Sequence, residues 1–347
     1  DDPPVLIAPL PDILADEDDP PTVIDLANHF DDPDLPGGDV LTVSVSHATA
    51  AVASTLDRLA ASRGTPSRTT VALTEAEFPT VAHVWKAREL RGTPLRWAPV
   101  EDGRVDEDAL LASLDEEVLL LSATWGYYQT GALLDLERTA AAAREAGVLT
   151  FIDAYQALGS RPLDVKALGV DMLASGNLKF LMGIPGIAFL YVRRELAEQM
   201  EPAVTGWFGR ANPYAFDPHT LDWGAGALRF DSGTPPILPA YVARAGMELI
   251  MEVGQEAIGA WTQHLAGRLA TEGAARKLEI MGPTDPALRA PTTAFRVEDS
   301  HRVELAMRER DILPSARGPA LRLAPHYFNT TDDVDRALDT LVRVLAG

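Results

Sequence analysis

Cysteine is absent from the 347 residues, which excludes disulfide staples, thiolate zinc sites and a nucleophile able to carry a persulfide. Lysine is almost as scarce: only Lys86, Lys166, Lys179 and Lys277 occur, so any lysine-dependent chemistry has few candidates. Basic residues are outnumbered 30 to 51 by acidic ones, a net charge of -21 that repels a nucleic-acid backbone or an anionic membrane surface. No basic run offsets it. The longest apolar stretches, Val118 to Leu121 and Ile187 to Val192, are of strand length and fall short of the ~20 residues a membrane helix needs. No charged-then-apolar leader is visible, so the expectation is a cytoplasmic chain without nucleic-acid or membrane partners. Two common catalytic signatures are missing as well. A dinucleotide fingerprint should follow the first strand, where Val45 to Thr49 stand instead, and no GxSxG elbow occurs.

What is present is a chain 46% hydrophobic, long enough for a large core. Residues 1–38 are rich in Asp and Pro and read as an extended arm or part of a small domain. From there, strand-like runs at Val40–Val45, Thr70–Leu73, Val118–Ser122, Val148–Asp153, Asp171–Ala174 and Ile187–Val192 alternate with helical patterns. Ala48–Ser62, with Val52, Leu56 and Leu59 on one side, stops at Gly64, and Asp135–Ala146 stops at Gly147. Such alternation predicts an α/β fold with a mostly parallel central sheet flanked by helices, occupying residues 39–236. Over 237–347 the pattern changes to long helices (Tyr241–Arg276), short strands at Leu278–Met281, Thr293–Val297 and Ala320–Leu323, and a last helix. That helix is capped by Thr330 and Asp333, with Val334, Leu338, Leu341 and Leu345 inward. A smaller C-terminal α+β domain is expected there.

Ligands of open α/β sheets sit beyond the carboxyl ends of the strands. Asp153 ends one apolar run, Ser175 follows the next, and Lys179 lies in the turn beyond it. An acid and a lysine at one sheet edge are what pyridoxal 5′-phosphate (PLP) requires, the amine to bond its aldehyde and the carboxylate to keep the pyridine nitrogen protonated. Gln156 could reach the ring's phenolic oxygen. Taken singly, Asp153 reads as a helix cap and Lys179 as a solvated loop residue. The apolar neighbours of Lys179, from Ser175 to Ile187, favour a desolvated amine of lowered pKa. No metal site is expected.

From about Val43 onward the order and spacing of Phe151 to Gly159, Leu163 to Val165, Leu168 to Asp171, Lys179 and Gly183 to Val192 resemble the class V aminotransferase family of fold-type I PLP enzymes. Kynureninase, the cysteine desulfurases and isopenicillin N epimerase belong to that group. The resemblance implies that Lys179 bonds the cofactor, Asp153 pairs with its ring nitrogen and Gln156 lies near its phenolic oxygen. It also implies that Phe78 stacks on the ring and Thr80 approaches the phosphate, with the His47 and Ala48 amides at a helix start beside it. As residues read alone, Phe78 serves core packing equally well and the helix start an ordinary cap. Gly233 and Thr234 are placed by the resemblance against the phosphate of a partner subunit, so a homodimer with shared sites is expected. Arg322 is placed at the α-carboxylate of a small amino-acid substrate, with Arg317 as its rival, and Tyr128 and Trp207 line the pocket.

Leu178 departs from the pattern, since many relatives carry His or Tyr before the lysine; Ser175 or Asn177 is expected to supply that phosphate contact. The stretch Trp125 to Gly131 also differs, and the region before Val43 is shorter than the resemblance leads one to expect. Without cysteine, desulfurase and selenocysteine lyase chemistry are discarded. Transamination and β-elimination by a kynureninase-like or C–S lyase remain level. Epimerisation and a non-catalytic PLP-fold binding protein are the alternatives.

Overall fold

The computed structural model describes residues 40–42 by their backbone and residues 44–347 in full. The arm expected over 1–38 lies outside the described residues. The larger sheet has seven strands in the order β1-β9-β8-β7-β6-β2-β3. They are β1 (Val40–Thr42), β2 (Thr70–Thr74), β3 (Leu95–Ala98), β6 (Val118–Thr124), β7 (Leu149–Asp153), β8 (Met172–Gly176) and β9 (Ala188–Val192), with a two-stranded hairpin of β4 (Val100–Glu101) and β5 (Arg104–Val105) beside them. Strands β3, β2, β6, β7 and β8 run parallel, while β9 is antiparallel to both β8 and β1.

Every residue of β2, β6, β7 and β8 is buried, as expected of strands covered on both faces. Side-chain alternation sorts them into two cores. Phe151, Met172 and Ala174 pack with Ala48, Val52, Leu56 and Leu59 of α1 (Val45–Ser62) and with Trp85 of α2 (Pro79–Glu89). Ile152 and Leu173 face the other way, onto Leu110 of α3 (Glu107–Ala112) and Leu136, Ala140 and Ala143 of α4 (Leu136–Glu145). The Trp85 indole donates to Ser122 Oγ at 2.9 Å, so the polar tip of a fully buried ring is satisfied inside the layer.

Val45 was expected to end the first strand, but it begins α1. Ser44 supplies the cap, its Oγ accepting from the His47 amide at 3.1 Å, which ends extended backbone one residue earlier. Two short helices, α5 (Val165–Leu168) and α6 (Arg194–Ala197), follow β7 and β9. The long helical stretch after Pro236 is two helices, α7 (Ile237–Val253) and α8 (Gln255–Ala275), broken at Gly254, whose φ of 94° a helix cannot accommodate.

The smaller sheet is antiparallel throughout, in the order β10-β11-β13-β12: β10 (Ile280–Met281), β11 (Thr293–Arg296), β12 (Ser315–Arg317) and β13 (Ala320–Leu323). Leu265 and Leu269 of α8, Val303 and Met307 of α9 (Ser300–Arg308), and Leu338 and Leu341 of α10 (Thr331–Ala346) close over Phe295 and Leu321. Thr330 and Asp333 form the reciprocal capping box of α10. The inward stripe of that helix finishes at Val344, and Leu345, expected inward, is 42% exposed because a 3.6-residue period carries it off the core face.

Candidate active site

Three parallel strands deliver the site at their carboxyl ends. Asp153 is the last residue of β7, Thr124 the last of β6 and Gly176 the last of β8. Asp153 is 4% exposed, and one of its oxygens accepts from the Tyr155 amide at 2.9 Å. Burial pushes its carboxyl up to about 6, against the opposing pull of that N–H and of Lys179. The acid is therefore ionised at neutral pH yet short of positive charge.

Lys179 lies in the turn after β8, half-buried, with Nζ 4.1 Å from the centre of the Tyr155 ring and 5.9 Å from that of Phe78. Burial lowers its pKa to about 8; Asp153 resists the shift, and Arg322 and Arg317 add to it. Phe78, at the start of α2, meets Tyr128 edge-on with ring centres 5.2 Å apart. Arg322, on β13, donates to the Tyr128 carbonyl and, at 3.0 Å, to Ser315 Oγ. Burial lowers its pKa to about 10, aided by Arg317. Two of the five guanidinium N–H groups are thereby committed, leaving donors for a carboxylate. Electrostatic coupling thus joins Asp153, Lys179 and Arg322, and Arg322 to Tyr128, while ring contacts add Phe78 to the group.

The remaining expected residues are placed less directly. Gln156 lies beside Gly126, where an added Cβ would stand 3.0 Å from the glutamine Cβ. Ser175 Oγ donates to the Gly176 carbonyl at 3.3 Å. Asn177 is fully buried, and neither polar atom of its amide has a hydrogen-bond partner among the described residues. The His47 and Ala48 amides were expected to face the phosphate, but both are taken by Ser44, through Oγ and the carbonyl oxygen. The first helical amides, of Val45 and Ser46, lack partners within the helix and are the ones an anion would meet. His47 Nε2 is buried without a partner. Thr80, in the first turn of α2, is partly exposed. Trp207 stacks near Phe216, with ring centres 5.9 Å apart, and Gly233 and Thr234 are exposed. None of the described hydrogen bonds or ring contacts joins these last three to Lys179.

Two residues of this neighbourhood escaped the reading of the sequence. Glu77 is fully enclosed behind Asp153; it accepts from the Thr124 amide at 2.9 Å and from Thr74 Oγ at 3.0 Å. Burial first, and Asp153 second, push its carboxyl well above the usual range. The signal available was an acid three residues past a strand end. Tyr155 is the other, and it stands within the Asp-x-x-Gln run already singled out. A surface hollow lined by Arg104, Asp135, Arg138 and Arg161 contains none of these groups.

The donor set fits PLP. An amine near two aromatic rings suits a flat ring bearing an aldehyde, and a buried carboxylate short of positive charge suits a protonated pyridine nitrogen. The orphaned polar atoms of Asn177 and His47 are further places where a polar ligand would be satisfied.

The family profile described as aminotransferase class-V matches residues 40–320. Among curated proteins, the chain is 32% identical over 298 residues to the uncharacterized aminotransferase YcbU of Bacillus subtilis (strain 168), covering 86% of this chain and 76% of that one. It is 31% identical to probable cysteine desulfurase 2 of Mycobacterium leprae (73% and 63% covered) and 29% identical to kynureninase of Geobacillus thermodenitrificans (66% and 55% covered). Among solved structures, the apo cysteine desulfurase of Thermococcus onnurineus NA1 superposes with a TM-score of 0.80 at 21% identity, over 90% of this chain and 80% of that one. The cystine C-S lyase C-DES gives 0.79 at 21% identity, over 89% and 82%. At these identities the two structures establish the fold.

Proposed function

The chain belongs to the class-V aminotransferase family, and we propose that it is a PLP enzyme that transfers the amino group of a small α-amino acid to a 2-oxo acid. The observation that carries the cofactor part of this reading is the Lys179 amine, brought to about 8, near two aromatic rings and electrostatically coupled to both Asp153 and Arg322, and the similarity to an aminotransferase favours amino transfer. When bound, PLP supplies an electron sink for negative charge at the substrate's Cα.

The chain's own groups supply the rest. Lys179 would be the attachment point and would also serve as the base for the Cα proton; a pKa near the working pH suits both tasks. Arg322 holds the substrate carboxylate through the N–H groups not already given to Tyr128 and Ser315. Asp153 fixes the protonation state of the ring nitrogen, and the Tyr155 amide holds its carboxylate in place. Phe78 and Tyr128, in edge-on contact, would line the slot. β-Elimination is the second reading, favoured by the similarity to kynureninase of Geobacillus thermodenitrificans. In either case no protein thiol is available to take up sulfur.

A homodimer is part of the proposal. It is supported by the exposed Gly233–Thr234 turn, where an added Cβ at Gly233 would meet nothing within 4 Å, and by Ile237 and Leu238 beside it, exposed by 43% and 69%. No described helix is long and apolar enough to cross a membrane, and a cytoplasmic location is proposed with it. The test is a panel of amino acids assayed with and without 2-oxo acids. Amino transfer that depends on the oxo acid supports the first reading, and release of pyruvate and ammonia without it supports the second. A protein that PLP cannot reconstitute refutes both.

A further inference from the structure

Leu178 offers no donor to a phosphate; of the two residues expected to replace it, Ser175 is engaged elsewhere, while Asn177 is fully buried with both polar atoms of its side-chain amide unpartnered. Ser175 has the parity of Leu173, which packs on the α4 face, and its hydroxyl already donates to Gly176. Asn177 is packed by the turn that follows: an added Cβ at Gly183 would stand 2.9 Å from the Asn177 Cβ and 3.3 Å from the Ala243 Cα of α7.

Gly176 has the opposite parity, that of Met172 and Ala174, and so faces α1. The space a side chain would fill there is taken by Tyr155, whose ring carbons Cε2 and Cζ lie 2.1 and 2.4 Å from the Cβ position and whose hydroxyl lies 2.6 Å from it. The same ring packs against the α1-face core and lies beneath Lys179 Nζ. In PLP the aldehyde and the phosphate arm are on adjacent ring carbons, so phosphate donors belong near the lysine amine and near the start of α1. No described hydrogen bond uses the Tyr155 hydroxyl.

We propose that Tyr155 is a phosphate-binding residue, its phenolic O–H donating to the PLP phosphate in place of the side chain missing at position 178, with Gly176 bare so that the ring can lie there. The inference rests on the PLP reading above. Burial and Asp153 push the phenol up to about 12, so it remains a donor throughout the working range.

The test compares PLP with pyridoxal, which lacks the phosphate, on the apoprotein; binding is followed by quenching of tryptophan fluorescence. Tyr155→Phe keeps the ring and removes one hydrogen bond to an anion. It is expected to weaken PLP about ten- to hundredfold and to leave pyridoxal within about twofold. Gly176→Ala, which displaces the ring but leaves the phenol intact, should also weaken PLP more than pyridoxal. Equal weakening of both ligands by Tyr155→Phe, or no change in either, overturns the proposal. Failure of the unmodified protein to bind PLP at all sinks the underlying cofactor reading instead, and the two failures are told apart by that control.

Discussion

The ionisation of Lys179 can be worked through to a number. Its pKa falls from 10.5 to about 8, mainly through burial, which is roughly 3 kcal/mol in favour of the neutral amine at about 1.36 kcal/mol per unit. At pH 7 about one chain in ten then carries a free amine, against about one in three thousand for a fully hydrated lysine, a gain of roughly 300-fold in the reactive form. Because only the neutral amine attacks an aldehyde, condensation of the apoprotein with PLP should rise with pH, bend near 8 and level off above it. The neighbours set the sign of two further shifts. Arg322 and Arg317 lower the value and Asp153 raises it, so Arg322→Met should move the bend upward and Asp153→Asn downward. The assay is the initial rate of attachment between pH 6 and 10, trapped with borohydride and read by intact mass. Dividing by the rate for Nα-acetyl-lysine, itself corrected for that amine's neutral fraction at each pH, cancels the reagent's own titration. A bend near 10.5, or shifts of the same sign in both variants, would refute the claim that desolvation against opposed charges sets this amine.

Lys179→Ala should lose the borohydride-trapped mass while keeping its circular dichroism spectrum, and label persisting in that variant would move the attachment to Lys86, Lys166 or Lys277. Arg322→Ala should weaken α-carboxylate substrates by about 2 to 4 kcal/mol, as for a desolvated charge pair, with little effect on amines that lack the carboxylate; unchanged kinetics would transfer the role to Arg317. Thr330→Ala removes half of the capping box and should cost about 1 kcal/mol in denaturant titration, with PLP affinity unaltered.

The fold was legible where one physical signal dominated. Strands β2, β6, β7 and β8 are buried on both faces, so their sequences are nearly continuous apolar runs. β3, which reads Leu-Arg-Trp-Ala and is the outermost strand on its side, carries a charge that edge position permits; nothing in its composition marked it as a strand. β12, three residues of Ser-Ala-Arg, is held by pairing with β13 rather than by its own preference. The site was legible in the same uneven way. Asp153 and Lys179 follow strand ends and could be found by position along the chain. Glu77 owes its place behind Asp153 to the parallel pairing of β2 with β6, which carries the Thr124 amide to it across 47 residues. Which helix-start amides remain open likewise depends on Ser44 being the cap, which ties up the His47 and Ala48 amides and which only backbone geometry decides.

Positions 155, 176 and 178 are best understood together. On the proposed reading, the leucine before the lysine offers no hydrogen bond where the family resemblance implies a phosphate contact. A tyrosine two residues after the aspartate projects towards the α1 face, where it requires the last residue of β8 to have no side chain, and that residue is Gly176. The second and third choices are bound to each other, since Tyr155 beside any larger residue at 176 would collide with its Cβ, and both are tied by the proposal to the first. The coupling makes a prediction of its own. Introducing a donor by Leu178→His should restore part of the PLP affinity lost in Tyr155→Phe while adding little to the unmodified protein. Purely additive effects of the two substitutions would mean that the phenol and position 178 serve different parts of the ligand.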